Sequence, residues 1–180
     1  MKISIADLRR GPREIGFQLP SAELGLAVEG FSFPEPVAGK VRFQLFGKRV
    51  LARGRLETAI AAACVRCLAP IRQRIEAPIE LVFEPRPVEG EASPAAVAAE
   101  WEAEGHEIDY YDEETVDPTD SLRQIVLLEL PDYPLCRNEC RGLCPQCGAD
   151  LNSAPCRCGK RVDAAGEPDW KARLREIHLS

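Results

Sequence analysis

Histidine, long apolar runs and, over one stretch, positive charge are what this 180-residue sequence has least of, and each shortage excludes something. Of the two histidines, His106 sits among acidic residues and His178 lies beside the final two residues, so neither is placed to activate a nucleophile. No glycine-rich phosphate-binding loop occurs, and the clustered carboxylates single out no pair. Catalysis, and with it a small-molecule substrate, is therefore not expected. The longest apolar run, Ala59–Val65, falls far short of the roughly 20 residues that span a bilayer. The opening stretch from Met1 to Arg10 lacks the apolar core of a signal peptide. These shortages predict a soluble, cytoplasmic protein with no membrane partner.

Positive charge is missing from residues 89–120, which hold 12 Asp/Glu and no Lys or Arg. Residues 1–88 carry 14 Lys/Arg against 9 Asp/Glu, residues 89–135 carry 1 against 14, and residues 136–180 carry 8 against 6. The net charge of -6 thus conceals a basic body. Such a body can turn a cationic face to nucleic acid or a ribonucleoprotein; the acidic stretch is either a solvated loop or a cover for that face.

What is present suits a globular chain: 45% hydrophobic and 29% charged residues, enough length for one core and a small appendage. Alternation of Val41, Phe43 and Leu45 with polar neighbours predicts a strand from Val37, followed by a turn at Gly47-Lys48. A second strand is expected over Val50–Ala63, bent or bulged near Gly54, and a third over Ile71–Phe83, with Ile71, Ile75, Ile79, Leu81 and Phe83. The three form an antiparallel meander. Before it, Ile3, Ile5 and Leu8, then Leu24, Leu26 and Val28, predict one or two further strands. Residues 85–118 read as an exposed acidic linker with a short helix from Pro94 to Glu104. A helix over about 119–130 follows, capped by Asp117 or Thr119, stopped by Pro131, and packing Leu122, Ile125, Val126 and Leu128 on the sheet. Trp170, Leu174 and Ile177 at helical spacing predict a terminal amphipathic helix.

Eight cysteines carry the clearest chemistry. In a reducing cytoplasm they point to metal rather than disulfides. Cys144-Pro-Gln-Cys147-Gly148 has the spacing of a metal knuckle: two intervening residues aim backbone N–H groups at the sulfurs, and Gly permits the positive φ that closes the turn. Thiolates suit zinc and not hard cations; an iron–sulfur cluster is the lesser alternative. Arg141, Arg157, Lys160 and Arg161 would offset the charge of such a site. One or two zinc ions fit. The preferred arrangement joins Cys144 and Cys147 to Cys156 and Cys158, and Cys64 and Cys67, at the tip of the second hairpin, to Cys136 and Cys140. A single site drawn from the six C-terminal cysteines is the alternative. A thioredoxin-like exchange site is disfavoured, because that motif opens a helix in a βαβ unit and not a hairpin.

Three motifs resemble the YceD family, named for large-subunit ribosomal RNA accumulation in bacteria and plastids. They are Cys64-x-Arg66-Cys67; Glu107-Ile108-Asp109 leading to Leu128-Glu129-Leu130-Pro131; and Leu135-Cys136-x3-Cys140-x-Gly142-Leu143-Cys144-Pro145-x-Cys147-Gly148 with Leu151-Asn152. The resemblance implies a non-enzymatic factor needed for accumulation of 23S rRNA and the large subunit. The expected architecture is α+β: a β meander or partial barrel packed by a helix over residues 1–135, then a zinc-ribbon-like Cys-rich tail over 136–180. Arg42, Arg53, Arg55, Arg66, Arg72 and Arg74 are the expected surface for rRNA, a ribosomal protein or a pre-ribosomal particle. The alternative is a zinc-dependent interaction module that does not act on RNA.

Overall fold

A computed structural model describes residues 1–86, 108–112, 114–156 and 158. The helices expected at Pro94–Glu104 and around Trp170 lie outside the described residues, as do His106 and His178. The chain divides into two compact units, one of residues 1–62 and 71–132, the other of residues 63–70 and 133–180.

The first unit is built on a sheet. In chain order come β1 (Ile3–Ser4), α1 (Ile5–Leu8), β2 (Arg13–Leu19), β3 (Phe31–Ser32), β4 (Val37–Phe46), β5 (Arg49–Ala63), β6 (Pro70–Pro85), β7 (Ile108–Tyr111), β8 (Thr115–Val116) and α2 (Thr119–Leu128). The main sheet is open, ordered β2-β4-β5-β6-β7, with β3 also paired to β5; β1 and β8 form a separate ladder. Alternation decides its faces: Val37, Val41 and Phe43 of β4, Val50, Ala52 and Leu56 of β5, and Ala77, Ile79 and Phe83 of β6 are buried on one side. Leu122 and Val126 of α2 join the same core. Among the described residues no helix is long and apolar enough to cross a membrane.

Several expectations shift. No bulge interrupts the β4–β5 ladder near Gly54: the strands pair without an inserted residue from Ala38↔Glu57 to Phe46↔Arg49. The glycine serves a close approach instead, since a Cβ there would run into the Lys40 carbonyl oxygen, as one on Gly39 would into that of Arg55. The N-terminal strand falls on Arg13–Leu19, paired antiparallel to β4, and not on Leu24–Val28. The acidic stretch ends in structure: Ile108–Tyr111 pairs parallel to Val82–Pro85, and Thr115–Val116 pairs with β1. Leu128, expected on the packed face of α2, is 83% exposed. The carboxylate of Asp117 accepts from the Thr119 N–H at 3.1 Å, while the residue at the cap position proper, Pro118, has no side-chain bond.

Candidate metal centre and cationic face

The second unit contains one turn used twice. In residues 64–69 the Leu68 N–H donates to the Cys64 carbonyl at 2.9 Å and the Cys64 N–H to the Ala69 carbonyl at 2.8 Å. In residues 144–149 the Gly148 N–H donates to the Cys144 carbonyl at 2.9 Å and the Cys144 N–H to the Ala149 carbonyl at 2.8 Å. The residue after the second cysteine is left-handed in both, with φ +60° at Leu68 and +70° at Gly148. Leucine thus occupies a conformation in which glycine is unstrained. That substitution hid the first turn's identity with the second in the sequence.

Each turn meets a second cysteine pair. Cys64, Cys67, Cys136 and Cys140 form one group and Cys144, Cys147, Cys156 and Cys158 the other, with all sulfurs of a group within 4.8 Å of one another. The separations Cys64–Cys140 of 3.8 Å, Cys67–Cys136 of 3.6 Å and Cys144–Cys156 of 3.3 Å are too long for disulfides. They suit the edge of a tetrahedron, which is about 3.8 Å for metal–sulfur bonds of about 2.3 Å. Either group can hold a metal ion.

The groups share a short segment. Cys140 and Cys144 are joined by Arg141-Gly142-Leu143, and every residue of that link is fastened. The Arg141 N–H donates to Asn152 Oδ1 at 2.8 Å, the Leu151 N–H to the Gly142 carbonyl at 2.9 Å, and the Leu143 N–H to the Arg66 carbonyl at 3.1 Å. Gly142, at φ +73°, leaves room for Arg66: an added Cβ would sit 3.0 Å from its carbonyl oxygen. Asn152 also donates from Nδ2 to Cys140 Sγ at 3.5 Å and to Asp150 Oδ1 at 2.8 Å. An asparagine in the loop of one group thereby touches a sulfur of the other. Its place in Leu151-Asn152 was visible in sequence, its role was not.

The thiols differ in acidity. Burial opposes ionisation of Cys64, but backbone N–H groups of Cys136, Cys67 and Arg66 outweigh it and bring the thiol to about 6. Cys144 comes down to about 7, chiefly through the N–H groups of Cys147 and Gln146. Burial and the neighbouring thiols push Cys136 up to about 12, and the Cys147 side chain with burial does the same to Cys158. Four adjacent thiols cannot all ionise unaided, so a full set of thiolates needs a cation among them.

The six arginines expected as a surface divide three ways. Arg66 belongs to the cysteine unit and donates from Nη1 to the Cys140 carbonyl at 2.9 Å. Arg72 pairs with Glu35 at 2.6 Å, and Arg74 pairs with Glu57 and Glu76. Arg42, Arg53 and Arg55 stand on the outer side of the sheet, joined by Lys40, which was not among the expected six. Arg42 lies opposite Arg53 and Lys40 opposite Arg55. All four line a groove of about 620 Å³ on the open sheet face.

A family model described as large ribosomal RNA subunit accumulation protein YceD matches residues 52–177. The chain is 30% identical over 171 residues to an uncharacterized protein of Mycobacterium tuberculosis, covering 95% of this chain and 72% of that one. It is 28% identical over 165 residues to the chloroplastic large ribosomal RNA subunit accumulation protein YCED homolog 1 of Zea mays, covering 78% of this chain and 56% of that protein. No solved structure matches. With the family match running from β5 through both cysteine groups, over more than half of its length, the chain belongs to the YceD family.

Proposed function

We propose that the protein is a non-enzymatic ribosome-biogenesis factor of the cytoplasm that supports accumulation of 23S rRNA and the large subunit. The observation that carries this reading is the family match across residues 52–177. The ribosomal role has a physical counterpart in the exposed cations of the sheet, which can engage rRNA or a ribosomal protein. Zinc is the ion proposed for both cysteine groups. Eight thiol ligands favour a soft metal over magnesium or calcium, the sulfur separations fit a tetrahedron, and the turn geometry directs backbone N–H groups at the sulfurs. Each tetrathiolate site would be formally -2 with zinc bound, and Arg66 and Arg141 are at hand to offset that charge. The zinc sites would hold the cysteine unit together, and contact with the partner falls to the cationic face of the sheet.

Sucrose-gradient profiles of a deletion strain test the reading. A shortage of large subunits and of 23S rRNA is expected, and a normal subunit ratio with unchanged 23S rRNA sinks it. A second reading, a zinc-dependent protein-interaction module without an RNA role, draws support from Val65, Leu68 and Tyr133, apolar residues exposed on the cysteine unit. Affinity capture with and without RNase separates the two. Partners that are not ribosomal and survive RNase favour the second.

A further inference from the structure

Most arginines of the sheet unit's outer surface are answered by a carboxylate. Arg72 has Glu35, Arg74 has Glu57 and Glu76, and Arg86 has Asp112 at 2.6 Å. Lys40, Arg42, Arg53 and Arg55, clustered on one face, are not: among the described residues no carboxylate forms an ion pair with any of them. Their placement makes the exception costly. Directly opposite residues on neighbouring strands have their Cβ atoms about 5 Å apart, and like charges there repel. Here both opposite pairs, Arg42↔Arg53 and Lys40↔Arg55, are cation on cation. Along each strand the two charges are two residues apart, about 6.8 Å. The unbroken β4–β5 register fixes the square; on β2, Gly16 opposite Lys40 puts no side chain beside it, and Glu14 lies opposite Arg42 without closing to an ion pair. Four cations held this close, without an ion pair among the described residues, gain little from their own sheet; the arrangement suits an external polyanion.

Resting on the ribosomal reading above, we infer that Lys40, Arg42, Arg53 and Arg55 form a clamp for the phosphodiester backbone of RNA that binds without regard to base sequence. Arginine's planar fork matches phosphate in a two-toothed hydrogen bond, and three of the four are arginine. The groove they line is an open face, so a small anion would keep most of its hydration there, whereas a polymer engages all four charges together. The lining includes no aromatic side chain on which a base could stack and no Asn or Gln to read a base edge. Glu14, Glu57 and Glu76 border the groove. They repel a broad acidic protein surface and leave a narrow path for a single backbone.

The test uses the full metal-loaded chain and two labelled RNA hairpins of equal shape and unrelated sequence, with poly-glutamate as a competing polyanion. Arg42→Gln/Arg53→Gln is expected to weaken binding of both hairpins at least tenfold and to flatten the dependence of log K on log salt by about 2, one unit for each phosphate no longer neutralised. It should also melt at a higher temperature, because the repulsion is gone, which a structural pair would not do. Arg72→Gln/Arg74→Gln removes the same charge from answered arginines and should change binding less than twofold. Equal weakening in the two double variants, or hairpin binding by Arg42→Gln/Arg53→Gln at the wild-type level, overturns the clamp; so does poly-glutamate binding more tightly than RNA. A normal subunit ratio in the deletion strain alongside quartet-dependent RNA binding refutes the ribosomal reading and leaves the clamp standing.

Discussion

The unit of residues 1–62 and 71–132 buries Phe43, Phe83, Leu56, Ile79, Leu122 and Val126 almost completely. In the unit that holds the cysteines, the buried described residues are Cys64, Pro134, Cys140, Gly142 and Cys144. Each large side chain buried in the sheet unit contributes roughly 1.5–3 kcal/mol. Among the described residues of the cysteine unit no comparable apolar core is buried. A small unit that buries so little apolar surface among its described residues is helped by a cross-link or a metal, and all eight cysteines are free of disulfides. On the zinc proposal the two units are held together in different ways, and each can be attacked alone.

Metal removal is the largest blow. Chelation is expected to strip the cysteine unit of on the order of 10 kcal/mol of folding free energy, while the sheet unit stays folded. Amide hydrogen exchange reads this residue by residue. Protection of Leu143 and Leu151, whose N–H groups are bonded within the cysteine unit, should vanish, and that of Val41 and Ala52 should persist. Disappearance of both together would break the comparison. The dependence on pH has a definite sign. Cys136 and Cys158, pushed up to about 12, keep their protons at neutral pH. Binding must expel those protons, so affinity for zinc rises with pH and falls on acidification; competition with a chelator across the neutral range measures it.

The converse attack is Gly54→Ala. Its Cβ would meet the Lys40 carbonyl and the Val41 Cα, backbone atoms that cannot turn aside. A destabilisation of about 3 kcal/mol is expected from overpacking, measured by denaturant titration, with two metal ions still bound per chain. Release of metal in parallel would mean that the cysteine unit depends on the sheet.

Legibility follows the same division. The meander was readable because Val41, Phe43, Ile75, Ile79 and Phe83 alternate strongly and Gly47-Lys48 marks the turn. That two-residue turn even sets the register, so the facing of Lys40 and Arg55 could have been counted out from it. The edge strand Arg13–Leu19 was missed because its burial is shallow and Gly and Pro precede it; Ile15, Phe17 and Leu19 were the available signal. The strands at Ile108–Tyr111 and Thr115–Val116 are too short to carry a period, and long-range pairing alone makes them strands. Cysteine spacing announced the candidate ligands, since a knuckle is a local turn. The link through Asn152 depends on two loops meeting and has no local signature.

Asn152→Ala tests that link at a smaller scale. Losing a hydrogen bond to a ligand sulfur typically lowers metal affinity by about 10-fold to 100-fold. Because Asn152 also holds the Arg141 N–H within the segment joining Cys140 to Cys144, both groups should weaken. Native mass spectrometry during chelator titration is expected to show the two ions leaving together and earlier than in the wild type. Departure of one ion at the usual chelator concentration would show the groups to be independent.

The smallest effect is the most discriminating, because it compares the two turns directly. Leu68, at φ +60° and 65% exposed, carries about 1–2 kcal/mol of left-handed strain and little burial to set against it. Glycine removes the strain but adds roughly 0.5–1 kcal/mol of chain entropy to the unfolded state. Leu68→Gly should therefore stabilise the metal-loaded protein by about 0.5–1 kcal/mol, and Gly148→Leu should destabilise it by a similar amount. Thermal melting of the two variants reads both signs. Destabilisation by Leu68→Gly would mean that the exposed leucine makes contacts exceeding its strain, and that the two turns, alike in backbone, are not alike in energy.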